Sequence, residues 1–192
     1  EMTEDDALVF RHVITETGDG RGHEWELTVE YATDPNHDAL LADVRFEADD
    51  DNEYELYAVA DSALVNTGSQ DRGIRLGQMG GYHLVARDAE AYDVGEAGEP
   101  LLIDEAGDEY SVAVALTSAG RFDWATVGVA GSSHLAKLFS QGELPTGQDR
   151  VDNENVVLIG RIGTGAGVEE TLALGFAENA DTAAALGEAA GA

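Results

Sequence analysis

Cysteine is absent from this 192-residue chain, and lysine nearly so. The first absence removes disulfides, thiolate metal sites and thiol nucleophiles together. It leaves the compartment open, because many secreted proteins also lack cysteine. Lys137 is the single lysine, and the basic residues number 10 against 39 Asp plus Glu, a formal net charge of −29. So little positive charge excludes ordinary nucleic-acid binding, which neutralises phosphates with Lys and Arg. An anionic membrane surface would repel the chain as well. No apolar run approaches the ~18 residues of a membrane span. The opening stretch from Glu1 to Asp6 is acidic, the opposite of a signal-peptide n-region. The first residue is Glu rather than Met, which suits an internal piece of a longer polypeptide, so no localisation is assigned.

Hydrophobic residues are nonetheless 43% of the chain, enough for a real core at a length that suits one domain. The acids are spread along the whole sequence; only residues 47–55 are dense. Such self-repulsion destabilises a fold when the Debye length is long, ~30 Å at 0.01 M salt, and largely vanishes at ~3 Å in molar salt. Scarce lysine with abundant Asp, Glu, Ala and Gly reads as adaptation to salt. The competing reading is an acidic surface for a basic partner.

Alternation dominates the pattern. Trp25, Leu27, Val29 and Tyr31 share one face of residues 24–31, while Glu24, Glu26, Thr28 and Glu30 take the other. Leu40, Ala42, Val44 and Phe46 repeat the pattern, and Thr33-Asp34-Pro35-Asn36 between them is an Asx-type turn, so 24–47 is an antiparallel hairpin. An earlier strand at 8–16 feeds it through Gly18-Asp19-Gly20. Residues 54–60 are apolar on both faces apart from Glu55 and are expected between two layers. Strands follow at 82–86, 101–103, 110–117 and 123–129, with 156–162 and 170–176 as the last pair. Turn signals separate them at Gly80-Gly81, Gly107-Asp108, Ala119-Gly120 and 163–165. Many short strands with antiparallel turns predict an all-β sandwich. Leu135, Leu138 and Phe139 give 133–141 helical spacing. Residues 180–190 form an Ala-rich helix with Asn179 or Asp181 as N-cap and Leu186 its only large apolar residue, so it packs weakly alone. Residues 142–155 read as a long polar loop.

Chemical motifs are sparse. The glycines after 156–162 look like a dinucleotide-binding turn, but the next segment alternates like a strand where that fingerprint needs a helix. His12, His23, His37, His83 and His134 have no metal-ligand spacing and are ordinary surface or core residues. Ser132-Ser133-His134 is no nucleophile site, since adjacent residues do not face one another, and no nucleophile elbow is present. Among so many acids any single carboxylate pair is uninformative for glycoside chemistry. Asp49, Asp51 and Glu53 alternate and are weak cation candidates, though they lack the glycine and terminal Glu of an EF-hand loop. No cofactor is expected.

The order of segments carries a resemblance. The run from Trp25 through Thr33-Asp34-Pro35 to Val44-Arg45-Phe46-Glu47 is similar to the amino-terminal β-domain of prokaryotic glucoamylases and glucodextranases, glycoside hydrolase family 15. Leu56-Tyr57 through Asn66-Thr67-Gly68, then Val127-Gly128-Val129, the strand 156–162 and Leu172-Ala173-Leu174-Gly175-Phe176 before the Ala-rich helix follow in family order. The chain departs after Val129, where Ala130-Gly131-Ser132-Ser133 replaces the family's Ser-Asp-Gly-Trp. The resemblance covers roughly residues 8–190 and looks like the later two-thirds of the family domain. It implies an antiparallel β-supersandwich, galactose-mutarotase-like, over 1–178, with 179–192 as a helical connector toward a catalytic domain. It further implies a non-catalytic domain of a glucan 1,4-alpha-glucosidase-type hydrolase, whose partner is a helical catalytic barrel in the same polypeptide. No catalytic residue is assigned to this chain.

Two alternatives stand beside that reading. One is a stand-alone carbohydrate-binding module for alpha-glucan, with Trp124, Tyr82 and Tyr57 as the sugar-stacking candidates and Trp25 and Tyr92 as further aromatics. Aromatics are only 7% of the chain and Trp25 falls on a predicted core face, which weighs against it. The other is a mutarotase-like sugar epimerase, which calls for a His and a carboxylate converging in one pocket.

Overall fold

The computed structural model describes residues 9–17, 24–49, 52–62, 64, 71–78, 81–88, 112–119, 121–142, 147–177 and 180–191. Three strands, β1 (Val9–Thr17), β2 (Glu24–Thr33) and β3 (Ala39–Ala48), open the fold. They are followed by β4 (Glu55–Asp61), β5 (Asp71–Gln78), β6 (Gly81–Asp88), β7 (Ala113–Ser118) and β8 (Ala125–Val129). Helix α1 (Ser133–Gln141) precedes β9 (Arg150–Glu154), β10 (Val156–Thr164) and β11 (Gly167–Ala177), and α2 (Ala180–Ala190) closes the sequence of elements. Among the described residues the strands form an eight-stranded sheet, β1-β2-β3-β11-β7-β6-β5-β9, and a three-stranded sheet, β4-β10-β8, every pairing antiparallel.

The predicted hairpin is β2–β3, in register from Trp25 opposite Ala48 to Thr33 opposite Leu40. Its turn is built by Asp34, whose Oδ1 accepts from the N–H groups of Asn36 at 2.6 Å and His37 at 3.2 Å. Asp34 N–H donates onward to Ala39 O at 3.0 Å. One carboxylate thus satisfies the donors that the turn would otherwise leave free.

The core lies between the sheets. Val44, Leu84, Leu116 and Leu172 from the large sheet pack against Val127, Val156 and Leu158 from the small one. Leu84 and Leu158 are fully buried, and each such side chain stabilises the fold by about 1.5–3 kcal/mol relative to exposure. The layers approach closely where side chains vanish. A Cβ on Gly73 would stand 2.6 Å from Val156 Cγ1, and one on Gly160 would stand 2.5 Å from the ring of Phe122.

The helices cover the outer faces. On the small sheet, Leu135 and Leu138 of α1 pack with Val157 and Ile159. Ser132 caps α1, its Oγ accepting from Leu135 N–H at 3.4 Å, and Gly142 ends it in the left-handed region at φ 66°. On the large sheet, Ala183 of α2 packs with Val85, Ala113 and Ala115. Both helices span the predicted residues, and α2 is docked through backbone proximity to β11 despite having Leu186 as its sole large apolar side chain. No helix among the described residues is long and apolar enough to cross a membrane.

Four expectations are corrected. β4 lies between two layers only in part: among the described residues it is the edge strand of the small sheet, with Leu56, Ala58 and Ala60 toward the core and Val59 41% exposed. On its outer face Tyr57 packs into the cluster that α1 covers while Val59 is left exposed, so the second layer reaches only part of the strand. β10 and β11 are not a hairpin pair, for β10 pairs with β4 and β8 while β11 pairs with β3 and β7. The glycine-rich corner between them switches sheets, with Gly165 at φ 102°. Within 142–155, β9 is an edge strand rather than loop, anchored by buried Val151. β5, Asp-Arg-Gly-Ile-Arg-Leu-Gly-Gln, has no counterpart among the predicted strands. The predicted strand at 101–103, the turns at 18–20 and 107–108, Gly80, Gly120 and the loop residues 66–68 of the resemblance lie outside the described residues.

Candidate functional site

The outer face of the small sheet gathers two of the three aromatic candidates. Tyr57 of β4 stands opposite Arg161 of β10 in the antiparallel ladder. Trp124, just before β8, is tied to the same place because Arg161 N–H donates to Trp124 O at 2.9 Å. The rings of Tyr57 and Trp124 meet edge to face, 5.8 Å between centroids at 84°, a geometry that aligns the positive edge of one π system with the negative face of the other. Both rings are half-buried against Ile159 and α1. Register and one backbone hydrogen bond therefore converge residues 67 apart in sequence, 124 minus 57.

Arg161 organises the polar part. Its Nε and Nη2 donate to Asp123 Oδ1 and Oδ2 at 3.1 and 2.8 Å, a two-pronged pair, and Nη1 donates to Glu55 Oε1 at 3.0 Å. Tyr57 O–H donates to the other Glu55 oxygen, Oε2, at 3.0 Å. The hydrogen bond from Arg161 holds the Asp123 carboxyl below its usual range, against a smaller opposing effect of burial. Asp123 in turn raises the Arg161 guanidinium further. Burial, followed by the bond to Glu55, pushes the Tyr57 phenol up to about 12. The chemistry of this face is that of a neutral phenol, a fixed cation and an ionised Asp123, next to an indole. A carboxyl held ionised is no general acid. Planar rings beside fixed donors and acceptors suit recognition of a hydroxyl-rich or polypeptide surface.

Tyr82 does not join them. It lies on the inner face of the large sheet, against the interlayer core, with the Arg75 guanidinium over its ring at 4.4 Å. Arg75 is held there by Ala125 O at 2.8 Å and by Asp149. Trp25 packs against Phe46 at 6.0 Å near the start of β2, and Tyr92 lies outside the described residues. Asp49 and Glu53 are exposed, Asp51 lies outside the described residues, and no three His, Asp or Glu side chains among the described residues come together as a metal site.

Among the described residues there are two His–carboxylate pairs. His37 Nδ1 is 3.0 Å from Asp34 Oδ2 in the hairpin turn, and His83 Nε2 is 2.7 Å from Glu188 Oε1 beneath α2. Neither lines the two cavities described next. A cavity of about 300 Å³ opens between the sheets beside β4, walled by Leu27, Val29, Leu56 and Ile162 among others. A polar concavity of about 650 Å³ lies on the outer face of the large sheet, where Arg11, Glu30, Asp43 and Glu170 line it and no aromatic ring does. Sequence reasoning missed Arg161, Asp123 and Glu55. The available signal was Arg161 itself, the lone charge within the apolar strand 156–162.

Set against known proteins, the chain matches the family model described as glucodextranase, domain N, over residues 1–192. No curated protein matches it. Among solved structures it is similar to a bacterial glucoamylase complexed with acarbose, at 17% identity and a TM-score of 0.63. The match covers 93% of this chain and 25% of that one, so the chain spans about a quarter of the glucoamylase's length. That likeness establishes the antiparallel sandwich as a shared fold.

Proposed function

The chain belongs to the family of the glucodextranase N domain, and from that premise we propose that it is the non-catalytic β-sandwich domain of a glucan 1,4-alpha-glucosidase-type glycoside hydrolase. Its work is to support and orient a helical catalytic domain of the same polypeptide, with residues 179–192 leading toward that domain. The family match over the whole chain carries this reading. The side chains agree with a supporting role: the polar cluster on the small sheet is locked by Arg161. Galactose-mutarotase-like architecture belongs to the same proposal and does not require epimerase chemistry. Incubation of the 192-residue chain with maltose or soluble starch is expected to release no glucose. Removal of residues 1–192 from the parent polypeptide is expected to lower its thermal resistance and its turnover of starch. Glucose release by the isolated chain would overturn the proposal.

A second reading is favoured by one observation, the Tyr57–Trp124 ring pair beside Arg161. On that face the domain contacts alpha-glucan, stacking the apolar side of a sugar ring on the indole while Asp123 and Glu55 accept from hydroxyls. Retention on a starch column in molar salt, lost in Trp124→Ala and kept in Tyr82→Phe, is the expected result. Equal retention of Trp124→Ala and the unaltered chain would remove the sugar-binding reading and leave the supporting one intact.

A further inference from the structure

Helix α2 sits on the outer face of the large sheet, with the sheet between it and the interlayer core. Its apolar contacts form a cluster of their own, Ala183 and Ala184 against Leu76, Val85, Ala113 and Ala115. The interlayer core is built from strands, β8 and β10 against β3, β6, β7 and β11, and among the described residues draws no side chain from α2. The helix is seated by close backbone approach at Gly175 and Gly187 and by alanine-sized side chains. An Ala-rich helix of 11 residues is marginal in water without such a seat. Elements held by so little apolar contact open at lower cost than the core they cover. Opening this seat leaves the contacts between the two layers untouched.

A titratable group lies inside the seat. His83 of β6 is 1% exposed, and its Nε2 is 2.7 Å from Glu188 Oε1 in the last turn of α2. Arg121, in the turn before β8, brings Nη2 to 3.5 Å from the same oxygen. The other elements around His83 present no ionisable group to it among the described residues. β5 sets Leu76 opposite it in the ladder, and β7 turns Ala113 and Ala115 to the same face. On β6 itself the next charge on that face is Arg87, four residues along. Glu188 is thus the one carboxylate facing His83, and Arg121 already shares it. A proton on His83 would put a second cation on that carboxylate, in a place closed to water, where an incompletely answered charge is costly.

We propose that α2 is a proton-sensitive latch: protonation of His83 loosens the helix, which lifts from the large sheet as a unit while the two-layer core stays closed. The linkage has one sign. With α2 lifted, His83 meets water and takes up a proton near 6.5; with α2 seated, burial keeps its pKa lower, against the raising effect of Glu188 and together with the repulsion of Arg121. The lifted state therefore binds more protons. Seating is unaffected well above pH 6.5 and weakens as pH falls through 6.5 toward the lower seated value. A single group changes the seating equilibrium by at most about tenfold per pH unit. The latch goes beyond the proposed function and does not rest on it.

Native-state hydrogen exchange of the protein, read by mass spectrometry and corrected for the intrinsic effect of pH on exchange, tests this. Between pH 7.5 and 5.5 the protection of residues 180–190 is expected to fall by about 2- to 10-fold, the upper figure being the most that one group titrating at 6.5 in the lifted state allows. Protection of 156–162, in the small sheet, is expected to stay level. His83→Gln is expected to abolish the fall in 180–190. Glu188→Gln, at a partly exposed position, removes the carboxylate that favours the proton and is expected to enlarge the fall toward tenfold. An equal fall in 156–162 would make the event global unfolding, and an equal fall in His83→Gln would place the titrating group elsewhere; either overturns the proposal. Protection of 180–190 that stays level or rises toward pH 5.5 overturns it too, because His83 would then be paired as a cation with Glu188 in the seat. Should His83→Gln not fold, a fall in Glu188→Gln no larger than in the unaltered protein is enough to overturn it.

Discussion

Gly175 of β11 and Gly187 of α2 meet backbone to backbone: a Cβ on Gly175 would stand 2.6 Å from Gly187 N and closer still to Ala183 O. A helix with little apolar bulk is held on the sheet by this proximity, since Ala183 is fully buried and a Cβ on Gly187 would stand 2.8 Å from Thr117 Oγ1. Gly175→Ala must push the helix away or distort the strand, and is expected to cost about 1–3 kcal/mol. Gly167→Ala, where a Cβ meets nothing within 4 Å, is expected to stay within about 0.5 kcal/mol. Urea midpoints of the two variants check this. An unchanged midpoint for Gly175→Ala would mean that α2 is not seated as described.

The same helix brings a pH dependence. His83 is buried with Nε2 2.7 Å from Glu188 Oε1, and Arg121 Nη2 is 3.5 Å from the same oxygen. Burial lowers the His83 pKa from 6.5, against the raising effect of Glu188 and with the added repulsion of Arg121. The folded state therefore resists a proton that the unfolded state accepts. Stability is unaffected well above the unfolded value and falls as pH drops through 6.5 toward the lower folded value. The melting temperature is expected to decline between about pH 7 and 5.5, and the decline to flatten in His83→Gln. A variant with the same slope as the unaltered chain would exclude His83 as its source.

Asp34 contributes with acid of a lower range. Hydrogen bonds from Asn36 N–H, then from His37, lower its carboxyl pKa from 3.8. A lowered carboxylate adds stability that is present above the unfolded value and lost as pH falls through the folded one. Asp34→Ala is expected to lose about 1 kcal/mol at neutral pH, the net worth of such bonds. The gap from the unaltered chain should close as pH falls below 3.8. Paired chemical denaturation curves at pH 7 and pH 3 measure it, and a gap of equal size at both would show that the Asp34 charge is irrelevant to the turn.

Local order was readable where local chemistry decides it. The β2–β3 hairpin follows from alternation and from Asp34, and α1 from Leu135 and Leu138 between Ser132 and Gly142. Which sheet a strand joins is not a local property, and β10 and β11 alternate as well in separate sheets as they would in a hairpin. β5 escaped because its reason for being a strand lies across the sandwich, where Gly73 makes room for Val156. The candidate site divides in the same way. Trp124 and Tyr57 stand out as aromatics in a chain with few, but the guanidinium that joins their neighbours reaches 38 residues back to Asp123 and 106 back to Glu55. Tyr82 looked equivalent to them and is not, because strand parity turns it inward under Arg75.

The acidic surface makes a prediction of its own. Few cations are free to answer 39 acids: Arg161 is committed to Asp123 and Glu55, Arg75 to Asp149, and Arg72 and Arg150 both to Asp152. Exposed pairs of this kind contribute only about 0–1 kcal/mol each, too little to offset repulsion summed over a net charge of −29. Mobile ions must supply the rest. The Debye length shortens from about 10 Å at 0.1 M to about 3 Å at 1 M, below the spacing of most surface charges. The melting temperature is therefore expected to rise steadily from about 0.1 M to 1 M potassium chloride and beyond. Screening of this sort depends on ionic strength rather than on ion identity, so sodium chloride should act alike, whereas a neutral osmolyte at equal osmolarity should not reproduce the salt dependence. A melting temperature flat in salt would mean that the charge is balanced within the fold, and would return the acidic face to being a surface for a basic partner.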